Sequence, residues 1–271
     1  MRAAIQRRAA ESSAVYYDRI AADYDRLYDD VLSQGENGWV RARLQKLVRP
    51  GDHVLDLGCG TGLGLELLSG VGAKYVGLDI SPAMIARAQQ KFGNVGSASF
   101  GLGDMARLWD HEAHRFDVVI SLFGSFSHVL DPEKAVAGIA HACRPGGRIL
   151  VMAYSRRSLR NLARCLPARS LAPLGQRQNY QVRNSGGGCG SAPALAYSAR
   201  ELKALFAGFE DVRVSGLNAV LELDAVKALA RARMRDPAAA TRALSIESRF
   251  LALAPGLGHM LVLTATKPFK N

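Results

Sequence analysis

Eleven residues, VLDLGCGTGLG (54–64), constrain this chain more than any other stretch of it. They carry the backbone from an apolar, strand-like run into the helical stretch LGLELL through a turn with glycines at 58, 60 and 62. Glycine adopts positive φ at little cost and has no Cβ, so a ligand can come close to the N–H groups of such a turn. A strand–turn–helix unit of this kind cannot cover both faces of its strand and needs neighbours.

The rest of the first half supplies them. KYVGLDI, SASFGLGD, FDVVISLF and RILVMAY read as strands, and SPAMIARAQQKF and PEKAVAGIAHAC as helices between them. Ser81 can cap the first of these helices, with Pro82 in the opening position where a missing N–H is harmless. Short apolar runs separated by helices make a parallel sheet with crossover helices, hence a doubly wound α/β fold. Residues 12–48 read as two further helices, closed by Pro50 and Gly51. At 271 residues, 48% hydrophobic and 22% charged, the chain can bury one large core, and 1–271 reads as a single domain.

After Tyr154 the rhythm breaks into an Arg- and Gly-rich stretch that contains SGGGCG (185–190). Regularity returns at YSARELKALFAGF, where Ser198 and Glu201 have capping-box spacing. Strand-like DVRVSGL, helices over 221–254 and a final strand, HMLVLTATK, complete the pattern. Two segments, 155–197 and 221–256, therefore stand as insertions. Four scattered cysteines without a C-x-x-C pair exclude a zinc or disulfide framework and fit a reducing compartment. HEAH (111–114) lacks the H-E-x-x-H spacing of a metal helix, so no metal is expected. No run approaches the ~20 apolar residues of a membrane span, and the first residues lack the apolar core of a signal peptide. A cytoplasmic protein is expected.

The turn excludes two common nucleotide sites. No G-x-G-x-x-G register exists, because positions 63, 65 and 67 are all leucine, and no G-K-[ST] follows for a phosphate loop. Acidic-x-G-x-G-x-G, formed by Asp56, Gly58, Gly60 and Gly62, instead resembles the first motif of class I S-adenosylmethionine-dependent methyltransferases. Asp79 at the end of the second strand, Asp104 after the third and RPGG (144–147) before the fifth stand in that family's order. The resemblance covers roughly residues 16–154. It implies a mostly parallel seven-stranded Rossmann-like sheet with an antiparallel last strand, an N-terminal helical lid (1–48) and helical insertions that build the acceptor pocket.

S-adenosylmethionine carries ribose hydroxyls, an adenine amine and a zwitterionic tail but no phosphate, so carboxylates are suited to it. The resemblance assigns the ribose to Asp79 and the adenine amine to Asp104, with Ile80 and Met105 as apolar walls. Gly58, Cys59, Gly60 and Gly62 would pass beside the methionine end, which Asp56 organises or reaches through water. Ser121 and Leu122 would line the sulfonium by their backbone. YYDRIAADYD is similar to the family's lid helix, with Tyr24 over the cofactor and Tyr16 and Tyr17 facing cofactor or acceptor. The alternative for these rings is plain amphipathic packing.

His128, in SLFGSFSHVL after the fourth strand, is the candidate base or acceptor contact, against a structural loop histidine. A base is needed only where the acceptor enters protonated. Tyr154, Arg156 and Arg157, at and just past the fifth strand, are further acceptor candidates. The absence of [DN]-P-P-[YFW] after strand four, of a Pro-Cys nucleophile and of an appended RNA-binding module favours a small-molecule acceptor over nucleic acid, and analogy favours a specialised metabolite.

The formal charge is +11, and 155–200 holds Arg156, Arg157, Arg160, Arg164, Arg169, Arg177, Arg183 and Arg200 without one Asp or Glu. Such a segment could pair with an anionic acceptor or an acidic carrier protein, or be a solvated basic face. Two other readings stay open: an RNA or protein methyltransferase using that segment, and a cofactor-binding protein without transferase activity. Oligomeric state carries no sequence signal.

Overall fold

Helices α1 (13–20), α2 (Tyr24–Leu27) and α3 (Val31–Leu47) lead into β1 (His53–Leu57), α4 (Leu63–Leu67), β2 (Lys74–Asp79), α5 (Pro82–Phe92), β3 (Ala98–Leu102), β4 (Phe116–Ser121), α6 (Pro132–Ala142) and β5 (Cys143–Tyr154). The chain continues through α7 (Leu159–Cys165), β6 (Asn179–Val182), β7 (Ala192–Leu195), α8 (Ala199–Leu205), β8 (Glu210–Leu217), α9 (Asp224–Arg233), α10 (Pro237–Phe250) and β9 (Met260–Thr266). This computed structural model describes residues 13–110, 113–165, 179–182 and 192–269, with backbone alone for 109–110 and 179–182. His111, Glu112, Arg169, Arg177, Arg183 and SGGGCG lie outside the described residues.

Seven strands pair in the order β3-β2-β1-β4-β5-β9-β8. The first five are parallel, and β9 runs antiparallel to both β5 and β8. Alternation along the central strands fills both faces. Val119, Ile149 and Val151 pack under α6 and α8 through Ile139, Leu202 and Phe206. Val118, Ile120, Leu150 and Met152 pack under α3 through Trp39, Val40 and Leu44. Leu244 of α10 joins that second face, and α10 lies against α3, where Thr241 Oγ1 donates to the Gly35 carbonyl (2.9 Å).

Local stops and starts follow their chemistry. Ser81 Oγ accepts from Met84 N (3.1 Å) with Pro82 in the first turn of α5. The Ser198–Glu201 capping box closes at the start of α8. Two elements differ from the sequence reading. The RPGG residues lie inside β5, because Gly146 N donates to the Lys267 carbonyl and Lys267 N to that of Gly147, so the turn is stitched to the end of β9. The 155–197 insertion, expected to be helical, holds the helix α7 and also the antiparallel pair β6–β7, a sheet of its own.

Candidate active site

A hollow of about 720 Å³ lies at the carboxyl ends of β1, β2 and β4, the end where doubly wound sheets hold ligands. It is walled by Gly58, Gly60, Asp79, Ile80, Asp104 and Met105, and roofed by Tyr17 and Tyr24 from the lid, with His128 at the side. Size alone does not select it. A hollow of about 800 Å³ opens between α6 and α8 beside the amino end of β4, but Lys267 there already gives its ammonium to the Ala140 and Cys143 carbonyls and to His114.

Backbone geometry explains the glycines. Gly58, Gly60 and Gly62 have φ of 74°, 54° and 92°. A Cβ on Gly60 would meet nothing nearer than Tyr24, at 4.0 Å, so its absence leaves an open cradle between turn and lid. A Cβ on Gly58 would stand 2.5 Å from that of Ser125, whose hydroxyl donates to the Gly58 carbonyl (3.0 Å). Gly62 faces the protein, where a Cβ would strike Phe92 at 2.7 Å.

Asp79 is the electrostatic centre of the wall. Its oxygens accept from Gly60 N (2.8 Å) and Ser81 N (2.9 Å) and keep further lone pairs for the hollow. Burial pushes its carboxyl above the ordinary range, against those backbone donors, so a cationic ligand with hydroxyl donors would satisfy it. Asp104 accepts from Ala106 N (2.9 Å), and it too lines the hollow. A wall of carboxylates, an open glycine cradle and no phosphate-binding lysine turn fit a sulfonium nucleoside and oppose a pyrophosphate.

The lid is pinned over this wall by polar contacts. Asp18 of α1 accepts from Ser81 Oγ (2.5 Å) and Ala83 N (3.0 Å) at the start of α5. Asp25 of α2 accepts from Thr61 Oγ1 (2.5 Å) in the glycine turn and from Lys91 (2.9 Å). The Tyr17 hydroxyl reaches His128 Nε2 at 2.9 Å.

His128 ends a 3-10 turn (Ser125–His128) that Phe123 (φ 48°) and Gly124 (φ 88°) bend away from β4. A Cβ on Gly124 would collide with Tyr154 at 2.7 Å. The Nδ1 atom lies 2.9 Å from the Pro193 carbonyl, which can only accept, so Nδ1 carries the proton. Nε2 is then the acceptor for Tyr17, and both side chains line the hollow. Burial lowers the pKa of the imidazole, which is therefore neutral at physiological pH.

From His128 an aromatic row runs outward. Tyr154 stands edge-on to it at 6.2 Å, and His259 follows at 5.7 Å from Tyr154. Burial pushes His259 down to about 4 and Glu36 of α3 up to about 7.

Other expected residues lie elsewhere. Asp56 is 1% exposed beneath the turn, where Tyr75 donates to it at 2.6 Å, and burial raises it to about 7. Cys59 points at β2, packed where a Cβ on Gly77 would be, with its thiol pushed up by burial. Ser121 and Leu122 are buried in the sheet, off the wall, and Tyr16 is buried edge-on to Tyr17 at 5.2 Å. Arg156 is buried against Glu201 (2.8 Å), Arg160 pairs with Asp224 (3.0 Å) and Glu222 (3.4 Å), and Arg164 pairs with Asp224 (3.1 Å). Arg157 is exposed. No residue of 221–256 lines the hollow. Sequence reading missed Met84, Phe123, Ser125, Arg107 and Lys134 on the wall. Only Ser125, two residues past a strand-end bend, sits where pattern could have pointed. Among the described residues no His, Cys, Asp and Glu group could hold a metal, and no helix is long and apolar enough to cross a membrane.

Residues 55–151 match the family described as methyltransferase domain. A demethylmenaquinone methyltransferase of Beutenbergia cavernae is 37% identical over 144 residues, 51% of this chain and 56% of that protein. A ubiquinone/menaquinone biosynthesis C-methyltransferase of Ectopseudomonas mendocina is 36% identical over 155 residues, 54% of this chain and 59% of that one. The matches thus span less than two thirds of either relative. In fold, a chain of the complex of the Haloferax volcanii Trm112 methyltransferase activator superposes with TM-score 0.60 at 22% identity, covering 93% of this chain and 97% of that chain. The [4+2]-cyclase SpnF superposes at 0.53 and 20% identity, covering 85% and 80%, so the fold serves more than one reaction. Residues 55–151 thus match a methyltransferase domain, and the motif order and strand order of the chain are similar to those of class I S-adenosylmethionine-dependent methyltransferases.

Proposed function

We propose that the protein transfers a methyl group from S-adenosylmethionine to a small hydroxylated aromatic acceptor, a phenol or hydroquinone. The observation that carries this is His128 on the wall of the hollow: a neutral imidazole with Nδ1–H fixed by Pro193 and Nε2 accepting from the Tyr17 hydroxyl, a phenol that an acceptor's own hydroxyl can replace. A carboxylate wall centred on Asp79 supports the cofactor, and the names of the quinone-pathway relatives support the acceptor class.

S-adenosylmethionine supplies a methyl group on a sulfonium that leaves readily. Asp79 and Asp104 would hold the nucleoside, and Tyr24 would close over the cradle at Gly60. His128 would accept the acceptor's hydroxyl proton at Nε2 once that hydroxyl takes the place of Tyr17, and the resulting phenolate is nucleophilic at oxygen and at the adjacent ring carbon. The lid keeps water from the reacting atoms. Arginine pairing inside the protein leaves Arg156, Arg160 and Arg164 committed to carboxylates, so we do not assign an anionic group of the acceptor to them. A specialised aromatic metabolite fits the same pocket chemistry as a quinone precursor.

Native mass spectrometry of the purified chain, followed by transfer of a labelled methyl from S-adenosylmethionine to a panel of phenols and naphthohydroquinones, tests this reading. Cofactor retention and labelling of hydroxylated acceptors alone is expected. Labelling confined to amines, carboxylates or RNA would overturn it.

A further inference from the structure

Helix α10 has two unlike faces. Ala240, Leu244 and Ser248 are buried, and Trp39 of α3 donates to Ser248 Oγ (3.3 Å). On the opposite face, at helical spacing, Ile246, Phe250 and then Leu253 are 59%, 70% and 91% exposed. Val220, 46% exposed, is held beside them because its N–H donates to Glu247 Oε1 at 2.6 Å. Four large apolar side chains in one stripe are not the scattered exposure of an ordinary surface.

The rim of the stripe is basic. Arg249 lies on it, and Arg242 precedes it by one helical turn with a single solvent-exposed partner, Asp236 at 3.3 Å. Arg233 and Arg235 are exposed in the segment that leads into α10. The one acid within the stripe, Glu247, is committed to the Ala219 and Val220 amides. The chain as a whole carries +11.

We propose that this face is a docking surface for an anionic lipid membrane, with Ile246, Phe250 and Leu253 entering the interface and the arginines meeting lipid phosphates. Apolar insertion next to fixed cations is what an interfacial helix uses to bind such a surface. A second copy of the chain is the poorer occupant. A two-fold contact would set Arg249 near its own image, and four side chains cover far less than the ~800 Å² per partner of a stable dimer. Strand β8 runs parallel to β5, so Val220, just past its end, stands at the end of the sheet that holds Tyr154 and the hollow. This inference rests on the surface alone and is independent of the reaction assigned above.

Flotation of the full chain with vesicles of pure phosphatidylcholine, or of phosphatidylcholine with a third phosphatidylglycerol, tests it. Co-flotation with the anionic vesicles only is expected, falling at least tenfold in the double variant Phe250→Asp, Leu253→Asp. Both side chains are exposed, so the variant should melt with the parent, and a melting check separates lost docking from lost folding. Three results would overturn the proposal: no vesicle binding by the parent, equal binding by a folded variant, or a dimer in light scattering that the variant abolishes.

Discussion

The two halves of the hollow are built in opposite ways. The cofactor half takes Gly58, Gly60, Asp79, Ile80, Asp104 and Met105 from three short stretches, each at the end of a strand. On the reading proposed above, the acceptor half gathers Tyr17 from the lid and His128 from a 3-10 turn, backed by the Pro193 carbonyl of a hairpin and by the outward row of Tyr154 from β5 and His259 from the approach to β9. A site made of local turns keeps its geometry as long as the sheet does. One assembled from distant elements depends on tertiary packing for every distance, and it is where change of acceptor comes most easily.

The largest expected effect breaks the acceptor half alone. His128→Gln should lower kcat by ~10²–10⁴ through loss of the base, with cofactor affinity in calorimetry changed less than about twofold. Loss of affinity in step with rate would show that the halves are not separable. The pH profile sharpens the same point. Burial lowers the His128 pKa below its ordinary value, so the base stays neutral, and the rate flat, as pH falls past 6.5, declining only in more acidic solution. A midpoint at or above 6.5 would show that the base is another group.

Asp79→Ala breaks the other half. It removes the ligand's charged acceptor and strands the Gly60 and Ser81 amides, and cofactor affinity should fall by about 2–3 kcal/mol, roughly 30- to 150-fold. Equal affinity in titration calorimetry would remove the assignment of that wall. Within the glycine turn, Gly62→Ala should cost about 2 kcal/mol of stability in denaturant melts, since it combines left-handed strain with a clash on Phe92. Gly60→Ala, facing open space, should cost about half that and act mainly on cofactor affinity. The smallest effect is Arg157→Ala. An exposed arginine should change stability by less than about 0.5 kcal/mol, with kcat and KM unmoved. A raised KM would return that residue to the acceptor half.

The legibility of each half follows from its construction. The strand ends could be read because apolar period and turn chemistry are local, and the carboxylates fall at fixed steps from them. Within the turn, though, sequence could not tell Gly60, open to the hollow, from Gly62, packed on Phe92, or see that Cys59 and Asp56 face inward. The β6–β7 hairpin escaped because each strand is four residues long and the buried residues of β7, Ala192, Ala194 and Leu195, include two alanines that make a weak apolar signal. The run 155–200 misled in the opposite way. It has no acid of its own, and Arg156, Arg160 and Arg164 find Glu201, Glu222 and Asp224 beyond its end.

Sequence by itself determined the doubly wound sheet, the glycine turn, the capped helices and the order of carboxylates, all of which depend on neighbours a few residues away. Tertiary structure alone decided that Tyr17 meets His128, that Pro193 fixes which nitrogen carries the proton, and that Arg156, Arg160 and Arg164 pair with carboxylates of the same chain. Those facts depend on pairs 45 to 111 residues apart. Coulomb and hydrogen-bond energies fall off within a few ångströms, so only the folded path of the chain could say which groups come that close.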